Sequence, residues 1–186
     1  MNTIYVILAV VVLVILWIIA IYNRLIRTVN RTKEAWADID VQLKRRYDLI
    51  PNLVNTVKGY ATHESSAFEN VTKARAAAMG ASSLADKSQA EASLAGALKS
   101  VFAIAEAYPD LKANQNFLSL QSELTDTEDK IQAARRFYNG NARDLNIAIQ
   151  VFPSNIVAGV FHVSAVDFFQ LDTADAAAKQ PVEVKF

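Results

Sequence analysis

Apolar side chains fill every position from Ile4 to Tyr22. A helix packed on a soluble core would show polar residues at every third or fourth place, and this run shows none. At 1.5 Å per helical residue its length is about 28 Å, close to the ~30 Å hydrocarbon core of a bilayer. The pattern predicts one transmembrane helix, with Ile4, Val10, Leu16 and Tyr22 among its spanning positions. A secretory signal peptide has a basic start, a shorter apolar stretch and a small-x-small cleavage site. Only Met1, Asn2 and Thr3 precede this run, and Ile18-Ile19-Ala20-Ile21 offers no such site. The segment reads as an uncleaved anchor.

Beyond Asn23 the pattern changes to a seven-residue period. Val29, Trp36, Leu43, Ile50 and Val57 form one row, and Ile39, Leu53 and Tyr60 belong to a second, offset by three and interrupted by Thr32 and Arg46. Such paired rows predict a long helix, about Asn23 to Ala61, packed in a bundle or coiled coil. Pro51 falls inside it, removes one backbone donor and predicts a kink one turn upstream. Phe117, Leu124, Ile131, Tyr138, Leu145 and Phe152 repeat the same period, with Leu120, Thr127, Ala134, Asn141 and Ala148 offset by three. They predict a second long helix, softened at Gly140 and ended by Pro153.

Two shorter helices are predicted between the long ones. One runs from Thr62 or His63 to about Met79, with Phe68, Val71, Arg75 and Ala78 at helical spacing, and the other from Gln89 to Ala107. Gly80 to Ser88 reads as a mobile loop, and Tyr108-Pro109-Asp110 as a break before the last helix. The expected fold is all-α: a transmembrane helix followed by an antiparallel up-and-down bundle of two long and two shorter helices. Its parts are an anchor at 1–23, a bundle at 24–152, an apolar membrane-proximal segment at 153–171 and a flexible tail at 172–186. Strand is indicated nowhere, except as an option after Pro153. The segment from Pro153 to Phe169 has two readings, one lying in the membrane surface and one folding back over the long helices.

Charge sets the orientation and narrows the partners. Arg24, Arg27, Arg31 and Lys33 follow the apolar run, whereas no charged side chain precedes it. The positive-inside rule then places the amino terminus outside and the body in the cytoplasm, at the inner (plasma) membrane. Trp17, Tyr22 and Tyr5 lie where interfacial aromatics would. The formal net charge is zero, which argues against nucleic acid as a partner. From Asn23 to Lys58, however, eight Lys/Arg face four Asp/Glu, so this arm suits anionic lipid head groups.

Candidate chemistry is sparse. The chain has no Cys, which removes thiol nucleophiles, thiolate metal sites and lipoprotein processing. His63-Glu64 begins like a metalloprotease helix, but Ala67 stands where the second His would be. Glu123, Asp126 and Asp129 nearly share a helix face and read as a solvated face in preference to a cation site. Glu128 lies beside the apolar seam and is expected to pair with a Lys or Arg of the first long helix. Asp48, Asn52 and Asn55 are expected to bond to side chains of the last helix, with Arg135 and Asn139 as partners. Asp48, Asn52, Glu128, Arg135 and Asn139 thus form a candidate structural polar network. No catalytic, metal or cofactor-binding residue is assigned.

The stretch Arg45-Arg46-Tyr47-Asp48-Leu49-Ile50-Pro51-Asn52-Leu53-Val54, with Lys58-Gly59-Tyr60-Ala61 and His63-Glu64, resembles the signature of the LemA family. So do Ala107-Tyr108-Pro109-Asp110-Leu111-Lys112, the positions Leu120, Gln121, Glu123, Leu124, Glu128, Ile131, Arg135, Tyr138, Asn139 and Asn146, and Phe152-Pro153-Ser154-Asn155 with Ala158. The likeness spans roughly Asn30 to Phe169 in ordered blocks. Leu145 departs from it where relatives tend to be aromatic, and the tail after Leu171 lies outside it. It implies an amino-terminal anchor and a four-helix body, and it brings no catalytic residue, ligand or cofactor.

These features predict a non-catalytic bundle at the membrane that binds a protein partner or self-associates, in contact with membrane lipids. The alternatives are membrane shaping through lipid binding and a hydrolase built on His63, Glu64 and the acidic helix. The last requires His63 to approach those carboxylates in space.

Overall fold

A computed structural model describes residues 2–170, so the tail expected at 172–186 lies outside the described residues. Six helices form among them: α1 (Asn2–Lys58), α2 (Ser65–Gly80), α3 (Leu84–Glu106), α4 (Pro109–Lys112), α5 (Gln115–Ala148) and α6 (Ser154–Val160). No strand occurs among these residues. The anchor and the first heptad helix are one continuous α1, so the boundary expected near residue 23 falls inside a helix. The apolar run is exposed along nearly its whole length, from Ile4 to Ile19, as a segment meant for lipid would be. It is the one stretch among the described residues long and apolar enough to cross a membrane.

The chain forms two compact units. Among the described residues, one combines Asn2–Ile39 with Ala134–Phe168, and the other combines Asp40–Ala133 with Phe169 and Gln170. In the first, Trp36 meets Tyr138 edge-on with ring centroids 5.3 Å apart. Leu25 packs with Val157 and Ala158, joined by Tyr22, Ala148 and Ile149. Higher numbers on α5 thus meet lower numbers on α1, which is antiparallel pairing. In the second unit Arg46 meets Glu128 and Tyr60 meets Asn114, again antiparallel.

The expected seam is present, with its weight shifted. Leu25, Thr32, Ile39, Arg46 and Leu53 are all buried, so the row with polar interruptions is covered from Leu25 to Leu53, and Leu43, Ile50 and Val57 of the other row are buried beside it. Val29 and Trp36 of the other row are only half-buried. Thr32 is tolerated there because its hydroxyl donates to Thr28 O at 2.9 Å, one turn back. On α5 Phe117, Leu124, Ile131, Tyr138 and Leu145 are buried as expected. Phe152 is not: α5 ends at Ala148, and Phe152 is 77% exposed. The Ser154 hydroxyl donates to Ala148 O at 2.6 Å, closing that end before the chain re-enters a helix at Ser154.

Other boundaries also move. The expected loop over 80–88 shrinks to residues 81–83, because Ser83 caps α3. Its Oγ accepts Asp86 N–H at 3.0 Å, and Asp86 adds negative charge to the first turn. Serines that read as loop formers are a helix start. α1 ends at Lys58, which leaves Tyr60 exposed in the turn, its hydroxyl accepting from Asn114 Nδ2 at 2.9 Å. α2 and α3 pack on each other, with Phe68, Val71 and Ala78 buried on α2 and Leu94, Leu98 and Val101 buried on α3.

Candidate functional site

The second unit holds a buried ionic cluster built from residues that break apolar rows. Arg46 interrupts the second row of α1. Glu91 stands on the stripe of Leu94, Leu98, Val101 and Ala105 along α3, a position the periodicity assigns to an apolar residue. The two charges pair directly, and Arg46 and Glu91 are 2% and 0% exposed. Glu91 also accepts from the Tyr47 hydroxyl, and Arg46 Nη1 donates to Glu128 Oε2 at 2.8 Å. Glu128 in turn accepts from Gln132 Nε2 at 3.1 Å. A lone buried charge would be prohibitive, so each charge here depends on its partners. Burial pushes the Tyr47 hydroxyl above its ordinary value, with Arg46 opposing and Asp40 adding to the rise.

Pro51 finds its consequence next to this cluster. A proline has no N–H, so the carbonyl one turn back, that of Tyr47, loses its helical donor. Arg75 of α2 supplies the missing one, its Nε donating to Tyr47 O at 2.7 Å. The helix continues through Pro51 to Lys58 with this outside bond in place of the inside one. Arg75 thus has a polar role that its helical spacing did not indicate.

Among the sequence-assigned polar residues, Glu128 joins a basic residue of α1 as expected. Asp48, Asn52 and Asn55 are exposed and make no side-chain hydrogen bond to α5, which corrects the expectation placed on them. They sit on the side of α1 away from its buried rows, about a quarter-turn too far round for the seam. Asn52 and Asn55 face a shallow open groove with Asn116 and Ser119. Arg135 and Asn139 belong to the first unit. His63 is exposed in the turn after α1 and makes no hydrogen bond or ion pair with the described residues. Glu128 meets α1 at Arg46, twelve residues or about 18 Å of helix before Lys58, so the structure does not bring His63 to it. Asp126 is taken up by Lys130 at 2.8 Å, which holds its carboxyl below the usual range, and no three acidic or His side chains converge as a metal site among the described residues.

In the first unit, the chain after α6 runs back along the helices as an extended segment. His162, with φ of 54°, turns it out of α6. Asn146 then grips the backbone of one residue on both sides: Nδ2 donates to Val166 O at 2.9 Å, and Oδ1 accepts Val166 N–H at 3.0 Å. The Tyr138 hydroxyl donates to Asp167 O at 2.9 Å. Burial pushes that hydroxyl upward, with Asp167 adding to the shift. An apolar cleft of about 470 Å³ lies under the segment, lined by Val29, Trp36, Leu145, His162 and Val163. Of the two readings for 153–169, the stretch at Val166 and Asp167 follows the fold-back over the helices, whereas α6 leaves Ile156 and Val160 exposed. Phe169 is buried in the protein, contrary to its assignment to the membrane surface.

The chain matches the LemA family over residues 35–186. It belongs to that family. A relative called Protein LemA, from Metamycoplasma hominis, is 30% identical over 166 residues, covering 82% of this chain and 74% of that protein. Magnetosome protein MamQ of Magnetospirillum gryphiswaldense is 24% identical over 174 residues, covering 80% of this chain and 64% of the relative. Magnetosome protein MamQ 2 of Paramagnetospirillum magneticum is similar at 24% over 175 residues, with the same coverage. This chain thus spans less than two thirds of the magnetosome relatives. The positions that resemble the LemA pattern now have physical roles: Glu128 completes an ion cluster, Pro51 creates the need for Arg75, and Tyr138 and Asn146 hold the returning segment. In this LemA-family chain these residues serve the architecture of a membrane-associated helical body.

Proposed function

We propose that this LemA-family protein is a non-catalytic, single-pass membrane protein whose helical body presents a surface to a protein partner or to a second copy of itself. The observation that carries the reading is the continuity of α1. An uncovered apolar segment of bilayer length leads, without a hinge, into a helix whose polar interruptions are consumed by internal bonds. Arg46, Glu91 and Tyr47 are closed off from solvent, and Arg75 and Asn146 are spent on backbone groups. Groups held in this way stiffen a body and contribute no exposed nucleophile or base.

Arg24, Arg27, Arg31 and Lys33 support an external amino terminus and a cytoplasmic body at the inner membrane. Crosslinking in intact membranes followed by purification tests this: the protein should be recovered in a defined crosslinked species. Recovery as monomer alone, across crosslinkers of several lengths, would sink the partner reading. The hydrolase alternative requires His63→Ala to abolish activity with the fold unchanged, and the position of His63, exposed and unpartnered among the described residues, speaks against it.

A further inference from the structure

α6 has two apolar faces and the protein covers only one. Val157 and Ala158 point inward and pack on Leu25. Ile156 and Val160, one turn apart, are 59% and 67% exposed and border an open apolar cleft on the side of Trp17 and Ile18, and Phe152 just before the helix is bare as well. Between Asp144 and Asp167 the chain carries no Asp, Glu, Lys or Arg. A solvent-facing segment rarely lacks charge over such a length, whereas a face set among lipid acyl chains is apolar.

The depth of this face is dictated by α1. The Phe161 ring packs on Tyr22, at the inner end of the apolar run, with centroids 4.4 Å apart. α6 also forms an apolar cleft of about 350 Å³ with Trp17, Ile18 and Ile21. Trp17 lies five residues, or about 7.5 Å, further into the run than Tyr22. Helices that rest in a membrane interface sink about 5–10 Å into the boundary of head groups and acyl chains. If the run spans a bilayer, α6 is held at that level.

We infer that α6 is a second membrane contact, lying in the interface of the leaflet that holds the inner end of α1, with Phe152, Ile156 and Val160 inserted among the lipids. This rests on the reading of α1 as a span. The protein is then fixed to one leaflet at two points, and α1 cannot rotate freely about its own axis.

The chain has no Cys, so single substitutions can each carry one environment-sensitive fluorophore. In the full chain reconstituted in phosphatidylcholine–phosphatidylglycerol vesicles, Ile156→Cys and Val160→Cys are labelled, with Leu16→Cys as the span reference and the exposed Lys73→Cys as the water reference. Both α6 positions are exposed, so the labels displace no packed side chain, and far-ultraviolet circular dichroism matching the parent confirms the fold. The labels at 156 and 160 are expected to emit to the blue of the label at 73. Lipids brominated near the head group should quench them more than lipids brominated near the chain ends. Water-like emission at 156 and 160 with a quenched label at 16 overturns the inference and leaves the span standing. A water-like label at 16 overturns both. Blue-shifted labels at 156 and 160 that neither lipid quenches mean cover by protein, such as a second copy, and also overturn it.

Discussion

Replacing Arg75 with methionine keeps most of the apolar stem and removes the Nε–H that meets Tyr47 O at 2.7 Å. The carbonyl it leaves belongs to a buried residue and has no helical donor, because the residue one turn on is Pro51. A hydrogen bond from a charged donor contributes about 1.5–3 kcal/mol, and an orphaned buried carbonyl costs about 1–3 kcal/mol. Arg75 is half-buried, so the substitution is expected to cost about 2 kcal/mol. Pro51→Ala changes this, since alanine restores an N–H one turn after Tyr47. In that background Arg75→Met should cost about 0.5–1 kcal/mol, leaving a coupling of at least about 1 kcal/mol between two residues on different helices. That exceeds the ~0.3–0.5 kcal/mol within which independent sites add. Pro51→Ala alone should stabilise, by less than the ~3 kcal/mol penalty of proline in a helix interior, because Arg75 already offsets part of it. Urea unfolding of the four proteins in detergent, followed by circular dichroism, gives the cycle. Equal costs of Arg75→Met in both backgrounds would refute the argument that Arg75 substitutes for the missing donor.

Other residues give sharper outcomes still. Glu91→Ala removes the fully buried partner of Arg46, leaving it only the partly exposed Glu128, and should cost about 3 kcal/mol, whereas Arg46→Met with Glu91→Leu should recover most of it; a double variant as unstable as the single one would count against the pairing. Tyr47 has a hydroxyl raised by burial above its ordinary value near 10. The folded state therefore keeps this proton after the unfolded chain has lost it, so the associated stability is full below about pH 10 and disappears as pH rises through the folded value. Unfolding measured from pH 8 to 11.5 should decline less steeply in Tyr47→Phe than in the parent, and parallel declines would contradict the assignment. Asn146→Leu removes two hydrogen bonds to Val166 and should cost about 1–3 kcal/mol, with hydrogen exchange at Val166 N–H accelerating more than at amides within α3. Uniform acceleration in both places would indicate general destabilisation and no local clamp.

Periodicity along the chain determined the helical class, the bilayer-length run, and both rows of α5 as far as Leu145, because apolar spacing reports which side of a helix is covered whatever covers it. It also located Arg46 and Thr32 as interruptions and Glu128 as a residue beside the seam. The partners were a different matter. Glu91 lies 45 residues from Arg46, and the only trace of it in the sequence is a charge on the apolar stripe of α3. Pairing the two requires the register between helices, which depends on packing across elements and leaves no local signal. The same holds for Arg75, whose role is set by a carbonyl on another helix, and for Asn146, whose partner is the backbone of Val166, twenty residues on. Asp48 and Asn52 were misplaced because an α-helix advances about 100° per residue, and one position of error at the edge of a seam turns a side chain from the core to water. The short α6 and the capped start of α3 escaped because Ser, Asn and Gly read equally as loop and as helix terminus. Tertiary structure chose between those readings by placing Val157, Ala158 and Leu94 where burial stabilised the helix.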